Sequence, residues 1–311
     1  MTEQTTASDA SSKHAATLAQ RPAHPHIVTG VALASFHVAA CLAFFPQFFS
    51  WSAVAVCFTL YFITGCLGVT LGFHRLLTHR SLRVPRALEY FLAICGTLAL
   101  EGGPIEWIST HRAHHKYSDT PMDPHDVHKG FWWSHCVWLV APNPARLTDE
   151  EEQHFGHDLA SDPFYRFLER AMIPMQIALA LGLFLVGGWS WLIWGGFVRL
   201  VLVYHITWFV NSAAHDSGYQ TYDAKDLSTN NWWVAFLAWG EGWHNNHHAF
   251  PFSARHGLKW YEFDFTWLTI NFLKHLGIAR DIKLPTDAML HRFKKAPTAS
   301  PLTRPVSSVS P

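Results

Sequence analysis

Long uncharged runs divide this chain. From Ile27 to Phe49, and again from Trp51 to Phe73, there is no Asp, Glu, Lys or Arg. Each run exceeds the roughly 20 residues that a helix needs to cross about 30 Å of hydrocarbon. Soluble helices are rarely apolar all round, so this pair, punctuated by Pro46, predicts a transmembrane hairpin. Ala171 to Gly188 and Trp189 to Val210 predict a second hairpin, turning at Gly187 and Gly188 and interrupted only by Arg199. The apolar segment 88–100 is too short to span and reads as a re-entrant or interfacial helix. Residues 143–166 are polar and form a connector. The termini, 1–26 and 291–311, read as disordered tails around a single membrane domain at 27–290.

Charge placement orients the hairpins. Arg75, Arg80, Arg83 and Arg86 follow the second span, whereas neither hairpin turn carries Lys or Arg. Basic residues collect on the cytoplasmic side. The expected fold is therefore an all-α integral membrane protein of four transmembrane helices, with both termini and a helical cap cytoplasmic. With 23 basic and 23 acidic side chains the chain has no net charge, which argues against a nucleic-acid partner. Cys41, Cys57, Cys66, Cys95 and Cys136 form no C-x-x-C pair and read as small buried hydrophobes.

The unusual residue is histidine, 22 of 311. His244, His247 and His248 stand at i, i+3 and i+4, a spacing that places three imidazoles on one helical face. His111, His114 and His115 repeat it. His74 and His79 are at i, i+5, about 140° apart on a regular helix, so they meet only if that helix ends or distorts. Asn211 and His215 add an i, i+4 pair. Nine histidines and one amide are too many for one ion and suit two, each with an open position. Neutral imidazole suits iron, zinc, copper or nickel. Glu106, Asp119, Asp123 and Glu241 are the nearby carboxylates expected to hold the other ring nitrogens. His26, His37, His205 and His275 read as ordinary packing or surface groups.

The runs HRLLTH, HRAHH and HNNHH, in this order beside two uncharged hairpins, resemble the membrane fatty acyl desaturases. GFHRLLTHRS, EGGPIEW, HRAHHKYSDT, WFVNSAAH and GEGWHNNHHAFP are similar to that family's Δ9 branch, over about residues 50–255. The resemblance implies a four-span enzyme whose cytosolic cap holds two iron ions. It implies that O₂ and two electrons are used to remove two hydrogens from a saturated acyl chain, introducing a cis double bond. It implies His74, His79, His111, His114, His115, His215, His244, His247 and His248 as ligands, with Asn211 acting through a water. Ser109 and Thr110 precede HRAHH where animal acyl-CoA members carry Arg-Asp, so the chain resembles bacterial and plant members there. A bacterial cytoplasmic membrane is the expected location, and the carrier is acyl-CoA or a membrane lipid.

Regiochemistry at an unactivated C–H bond requires rigid placement of the substrate. The expected acyl tunnel is walled by Trp107, Trp208 and Trp243 and by the second span, where Gly65, Gly68 and Gly72 leave a groove. Phe62 and Phe58 form its floor, with Phe62 roughly 18 Å below His74 at 1.5 Å per residue. No His-Pro-Gly-Gly haem motif and no strand-linked G-x-G-x-x-G occurs. Electrons are expected from a ferredoxin or a cytochrome b5-like protein with its reductase, docking on Arg75, Arg80, Arg83, Arg86 and Lys116. Two other readings share part of the pattern: a membrane di-iron hydroxylase, and a membrane metal transporter or sensor.

Overall fold

A computed structural model describes Leu18 and residues 20–295. Among the described residues the structure is helical, with isolated bridges and no sheet. Helix α1 is Ile27–Ala40. Helix α2, Trp51–Tyr61, starts where the Ser50 hydroxyl accepts from the Ala53 N–H at 3.1 Å, and continues as a π-helix over Phe62–Thr78. Helix α3 is Arg86–Thr97, and α4, Pro104–Tyr117, begins with a proline at its first turn. Helix α5, Pro163–Trp191, is capped by Asp162, and α6 is Arg199–Asn211 after a π-helical Leu192–Val198.

Three helical stretches are long and apolar enough to cross a membrane: Ile27–Phe44, Trp51–Thr78 and Pro163–Asp216. The last has 54 residues, about 81 Å if straight, far more than a bilayer needs. Gly188 breaks it, at φ 62° and ψ −157°, a conformation open to glycine. The arms then fold back on each other. Arg199 Nη2 donates to Gln176 Oε1 at 3.4 Å, and a Cβ on Gly195 would stand 3.3 Å from Leu183 Cδ2. The segment running into the first turn of α2 and the stretch after Gly188 lie side by side: the Trp191 indole donates to Ser52 Oγ and the Trp194 indole to the Phe48 carbonyl, both at 3.1 Å. Arg199, fully buried, also donates to the Leu98 carbonyl at 2.7 Å, a group just past the end of α3. A carbonyl left without an intrahelical partner at a helix end is a fitting acceptor for a charge in an apolar setting, and Gln176 Nε2 donates to it as well at 2.6 Å.

The second span differs from the regular helix expected for it. In a π-helix the hydrogen bonds run from residue i to i+5, and the His79 N–H bonds the His74 carbonyl at 3.2 Å. This winding stacks residues five apart. The three glycines also part company. A Cβ on Gly68 would lie 2.4 Å from the Cys95 carbonyl carbon, and one on Gly72 2.9 Å from the Leu92 oxygen. Both are consumed by the close approach of α3, not by a substrate groove.

Parts of the segments expected as tails lie among the described residues. Residues 1–17, 19 and 296–311 lie outside the described residues. Leu18 packs with Met122 and Ala145, Arg21 pairs with Glu151, and the His26 N–H bonds the Val140 carbonyl at 2.9 Å. A helix at Asp287–Arg292 crosses the expected C-terminal boundary, and Lys294 bridges to Tyr222. Apolar contact and backbone pairing hold these segments although their composition is polar. Cys57, Cys66 and Cys95 are buried, but Cys41 is exposed.

Candidate metal centre

The nine histidines gather into two groups, each with its ligand atoms within 4.8 Å of one another. The first comprises His74, His79, His111, His115 and His247; the second His114, His215, His244 and His248. The π-turn brings the His74 and His79 rings to 4.8 Å. On α4, His111 and His115 go to the first group and His114 to the second. Helix α7, His244–Ala249, makes the reverse split, with His244 and His248 in the second group and His247 in the first. These two boxes thus each serve both groups, whereas His74 and His79 both belong to the first, and the His115 and His248 rings stand 4.5 Å apart between them.

Six of the imidazoles are poised as neutral donors of lone pairs, whereas, against the cost of burial, the Asp123 carboxylate beside His114 pushes that ring the other way. Burial, and then their crowding together, holds His79, His111, His115, His244, His247 and His248 well below the usual value. Carboxylates hold the Nδ1 atoms of four of the nine. Asp123 lies 2.9 Å from His114 Nδ1, Asp226 2.6 Å from His248 Nδ1, Asp119 3.1 Å from His215 Nδ1, and Glu241 2.6 Å from His74 Nδ1. The consequence is testable within the structure. With Nδ1 of His114 and His248 donating to carboxylates, two bare Nε2 lone pairs face each other at 3.3 Å. His244 Nε2 is 3.0 Å from His215 Nε2, while His244 Nδ1 is buried without a partner, as is His79 Nε2. In the first group His74, His111, His115 and His247 link through Nε2 to Nε2 separations of 2.9–3.0 Å. Nitrogens 2.0–2.1 Å from a shared ion and at right angles stand about 2.9 Å apart. Lone pairs converging at that spacing fit a cation in each group.

Glu241 is the hub of the carboxylate layer. Against the cost of burial, His256, Arg75 and His74 hold its carboxyl well below the usual range. Arg75 is fully buried and spans Glu241 Oε1 and both oxygens of Asp264 at 3.0–3.1 Å. Of the four carboxylates read from the sequence, Asp119, Asp123 and Glu241 contact histidines; Glu106 does not, and faces a separate cavity with Arg146. Asp226 and His256 were missed. Asp226 sits in a loop with no periodic signal, and His256, 3.0 Å from Glu241, belongs to no box.

A narrow apolar cavity of about 50 Å³ runs from the histidines, past Val69 and Gly65, to Tyr61 and Trp239. Its upper wall is Trp107, His111, Asn211 and His244, and Trp107 stacks on His111 at 5.1 Å. Gly65 and Trp107 therefore line it as expected, but four other tunnel residues do not. Phe58 points outward, 56% exposed. Phe62 packs against Trp239 and Phe265 outside the lining, and Trp243 is buried with its indole on the Phe263 carbonyl. Trp208 lines the second cavity and packs on His135 and Tyr204. The π-turns rotate the span relative to an α-helix, so Tyr61 takes the place foreseen for Phe62.

The expected basic docking face is also largely absent. Arg75 is internal, Arg80 pairs with Asp158 at 2.6 Å, and Arg86 pairs with Glu89 and Asp162. Arg83 stays exposed beside Asp281, and Lys116 lies over the Tyr117 and Phe155 rings.

Comparison with known proteins agrees with this geometry. The chain is 59% identical over 248 residues to the sn-1 stearoyl-lipid 9-desaturase of Anabaena variabilis, covering 80% of this chain and 90% of that protein. It is 56% identical over 256 residues to the sn-1 stearoyl-lipid 9-desaturase of Synechocystis sp., covering 82% and 80%. It is 51% identical over 259 residues to the palmitoyl-monogalactosyldiacylglycerol delta-7 desaturase of Arabidopsis thaliana, covering 83% and 69%. None of these three is a hydroxylase or a transporter. The family model described as fatty acid desaturase matches residues 18–276, and the chain belongs to that family: it is a membrane oxidoreductase that desaturates fatty acyl chains.

Proposed function

We propose that the protein is an acyl-lipid Δ9-desaturase that places a cis double bond in a saturated chain still esterified to a membrane lipid. The observation that carries this is the pair of histidine groups at the head of an apolar cavity closed by Tyr61 and Trp239. The printed activities of the Anabaena and Synechocystis relatives support the carrier and the position. Four spans, in two hairpins with both tips together, would set the cap and both termini on the cytoplasmic side of a bacterial cytoplasmic membrane. The single domain would run over about 27–290.

His74, His79, His111, His115 and His247 would hold one iron, and His114, His215, His244 and His248 the other, with Asn211 contributing through water. Bound iron supplies the reduction of O₂ and the oxidising power for an unactivated C–H bond; zinc has no redox chemistry to offer. The overall change is balanced as –CH₂–CH₂– + O₂ + 2 e⁻ + 2 H⁺ → –CH=CH– + 2 H₂O. The electrons would come from a ferredoxin or a cytochrome b5-like carrier with its reductase. The chain's own work is placement. Asp119, Asp123, Asp226 and Glu241 orient the imidazoles, and the apolar wall holds two adjacent methylenes against the centre while excluding water.

Expression in a host lacking the activity, followed by gas chromatography of fatty acid methyl esters with double-bond localisation, tests the reading. A Δ9 monoene appearing first in intact glycerolipid is expected. A hydroxylated product, or a monoene appearing first in acyl-CoA, would refute it.

A further inference from the structure

A second cavity reaches the same centre from the side. It is a space of about 510 Å³ that shares Trp107, His111, Thr207 and Asn211 with the acyl cavity. Its outer half is apolar and lies between α1, through Ala32 and Leu33, and the start of the α5 span, through Ile173. That lip is on the outer surface: Val28 is 84% and Ile173 53% exposed. A chain entering there meets the histidines without crossing the cap.

The rest of the lining is polar and mostly acidic, with Glu106 and Asp149 exposed. Glu101, Glu106, Asp149 and Glu152 line it against one cation, Arg146. Two polar atoms there are buried and unpartnered, Glu101 Oε1 and Arg146 Nε. Buried polar groups are normally satisfied, so these two await a ligand. The carboxyl oxygen accepts a hydrogen bond, and the guanidinium nitrogen donates one to an ester carbonyl. Glu106, Asp149 and Glu152 outnumber the one guanidinium, which disfavours a polyphosphate and suits a headgroup that donates hydrogen bonds, while the Glu101 carboxyl is a neutral partner for a hydroxyl.

We propose that this chamber is the lateral entrance and headgroup site for a glycerolipid. The acyl chain passes between α1 and α5, with hydroxyl or ammonium groups of the head against Glu101 and Glu106 and the ester at Arg146. The inference rests on the acyl-lipid reading above and adds the route and the recognition chemistry.

The test places a photoreactive benzoylphenylalanine at Leu33, which lines the chamber, or at Val38, which is 72% exposed on the same helix and lines neither cavity. The full-length protein is reconstituted in vesicles carrying a trace labelled acyl-lipid. Crosslinking at Leu33 should be competed at least tenfold by unlabelled stearoyl-glycolipid or stearoyl-phosphatidylethanolamine, and less by stearoyl-phosphatidylglycerol and stearoyl-CoA. Crosslinking at Val38 should be indifferent to all four. Comparison of the first two separates a hydroxyl-bearing from an ammonium-bearing head. Glu101→Gln with Glu106→Gln should narrow the preference over the anionic lipid. Equal competition at both positions, or best competition by stearoyl-CoA, overturns the proposal. Wild-type desaturation of acyl-lipid in the same vesicles is scored separately. If it persists while Leu33 shows no competition, only the entrance is wrong; if it is missing while acyl-CoA turns over, the acyl-lipid reading is wrong.

Discussion

Gly65 offers a graded test of where the acyl chain ends. It lines the cavity, and a Cβ placed on it would stand 3.1 Å from Trp239 Nε1 and 3.7 Å from Tyr61 Cε2. Side-chain atoms at this point thus occupy space between the centre and the closed end. Each methylene of substrate denied its place forfeits about 0.8 kcal/mol of burial, or roughly fourfold in kcat/KM at 1.4 kcal/mol per decade. Gly65→Ala, adding one carbon, should lower kcat/KM for the longest accepted chain about fourfold. Gly65→Leu, displacing three to four methylenes' worth of space, should lower it by about 60- to 200-fold. Chains shorter by that many carbons should be spared in both. The assay is competition between saturated chains of graded length in vesicles, read as methyl esters by gas chromatography. A chain-length profile that stays flat across the series, in folded and metal-loaded protein, would refute this placement of the tunnel.

Other consequences are equally specific. Arg75→Met leaves Glu241 and Asp264 buried without their cation, which should cost about 3–5 kcal/mol of stability and weaken metal retention about 10- to 100-fold, read by chelator titration. Gly68→Ala drives a Cβ into the α3 backbone and should cost about 1–3 kcal/mol, seen as a lower melting temperature with ligands intact. Burial pushes the Glu101 carboxyl from 4.5 up to about 8, so its folded form holds a proton that the unfolded chain releases. That stabilising contribution is fully present below 4.5 and lost as pH rises to about 8, so Glu101→Gln should gain melting temperature relative to wild type across that window and no further above it.

The spans and the three boxes were readable because each is a local pattern: uncharged runs of membrane length, and imidazoles three and four residues apart. What the pattern could not supply was helix type. An i, i+5 pair such as His74 and His79 is divergent on an α-helix and convergent on the π-helix that Phe62–Thr78 adopts. The same winding moved Tyr61, and not Phe62 or Phe58, to the cavity. Long-range partners were equally hidden. Asp226 meets His248 from a loop, and Arg75 turns inward to Asp264, 189 residues away, although its charge suggested a surface role. Asp119 and Asp123 were legible because they follow the second box closely; Glu106 sits as close before it yet faces the other cavity.

The central claim is that nine histidines form two iron sites that share the second and third histidine boxes. Metal analysis with Mössbauer spectroscopy on ⁵⁷Fe-grown protein tests it most directly, for wild type, His247→Ala and His275→Ala. Wild type and His275→Ala should hold two irons per chain. His247→Ala, which removes a ligand of the five-histidine group alone, should perturb one site's spectrum, leave the four-histidine site bound, and abolish desaturation. Stoichiometric zinc in active wild type, or full activity and an unchanged spectrum in His247→Ala, would contradict the assignment.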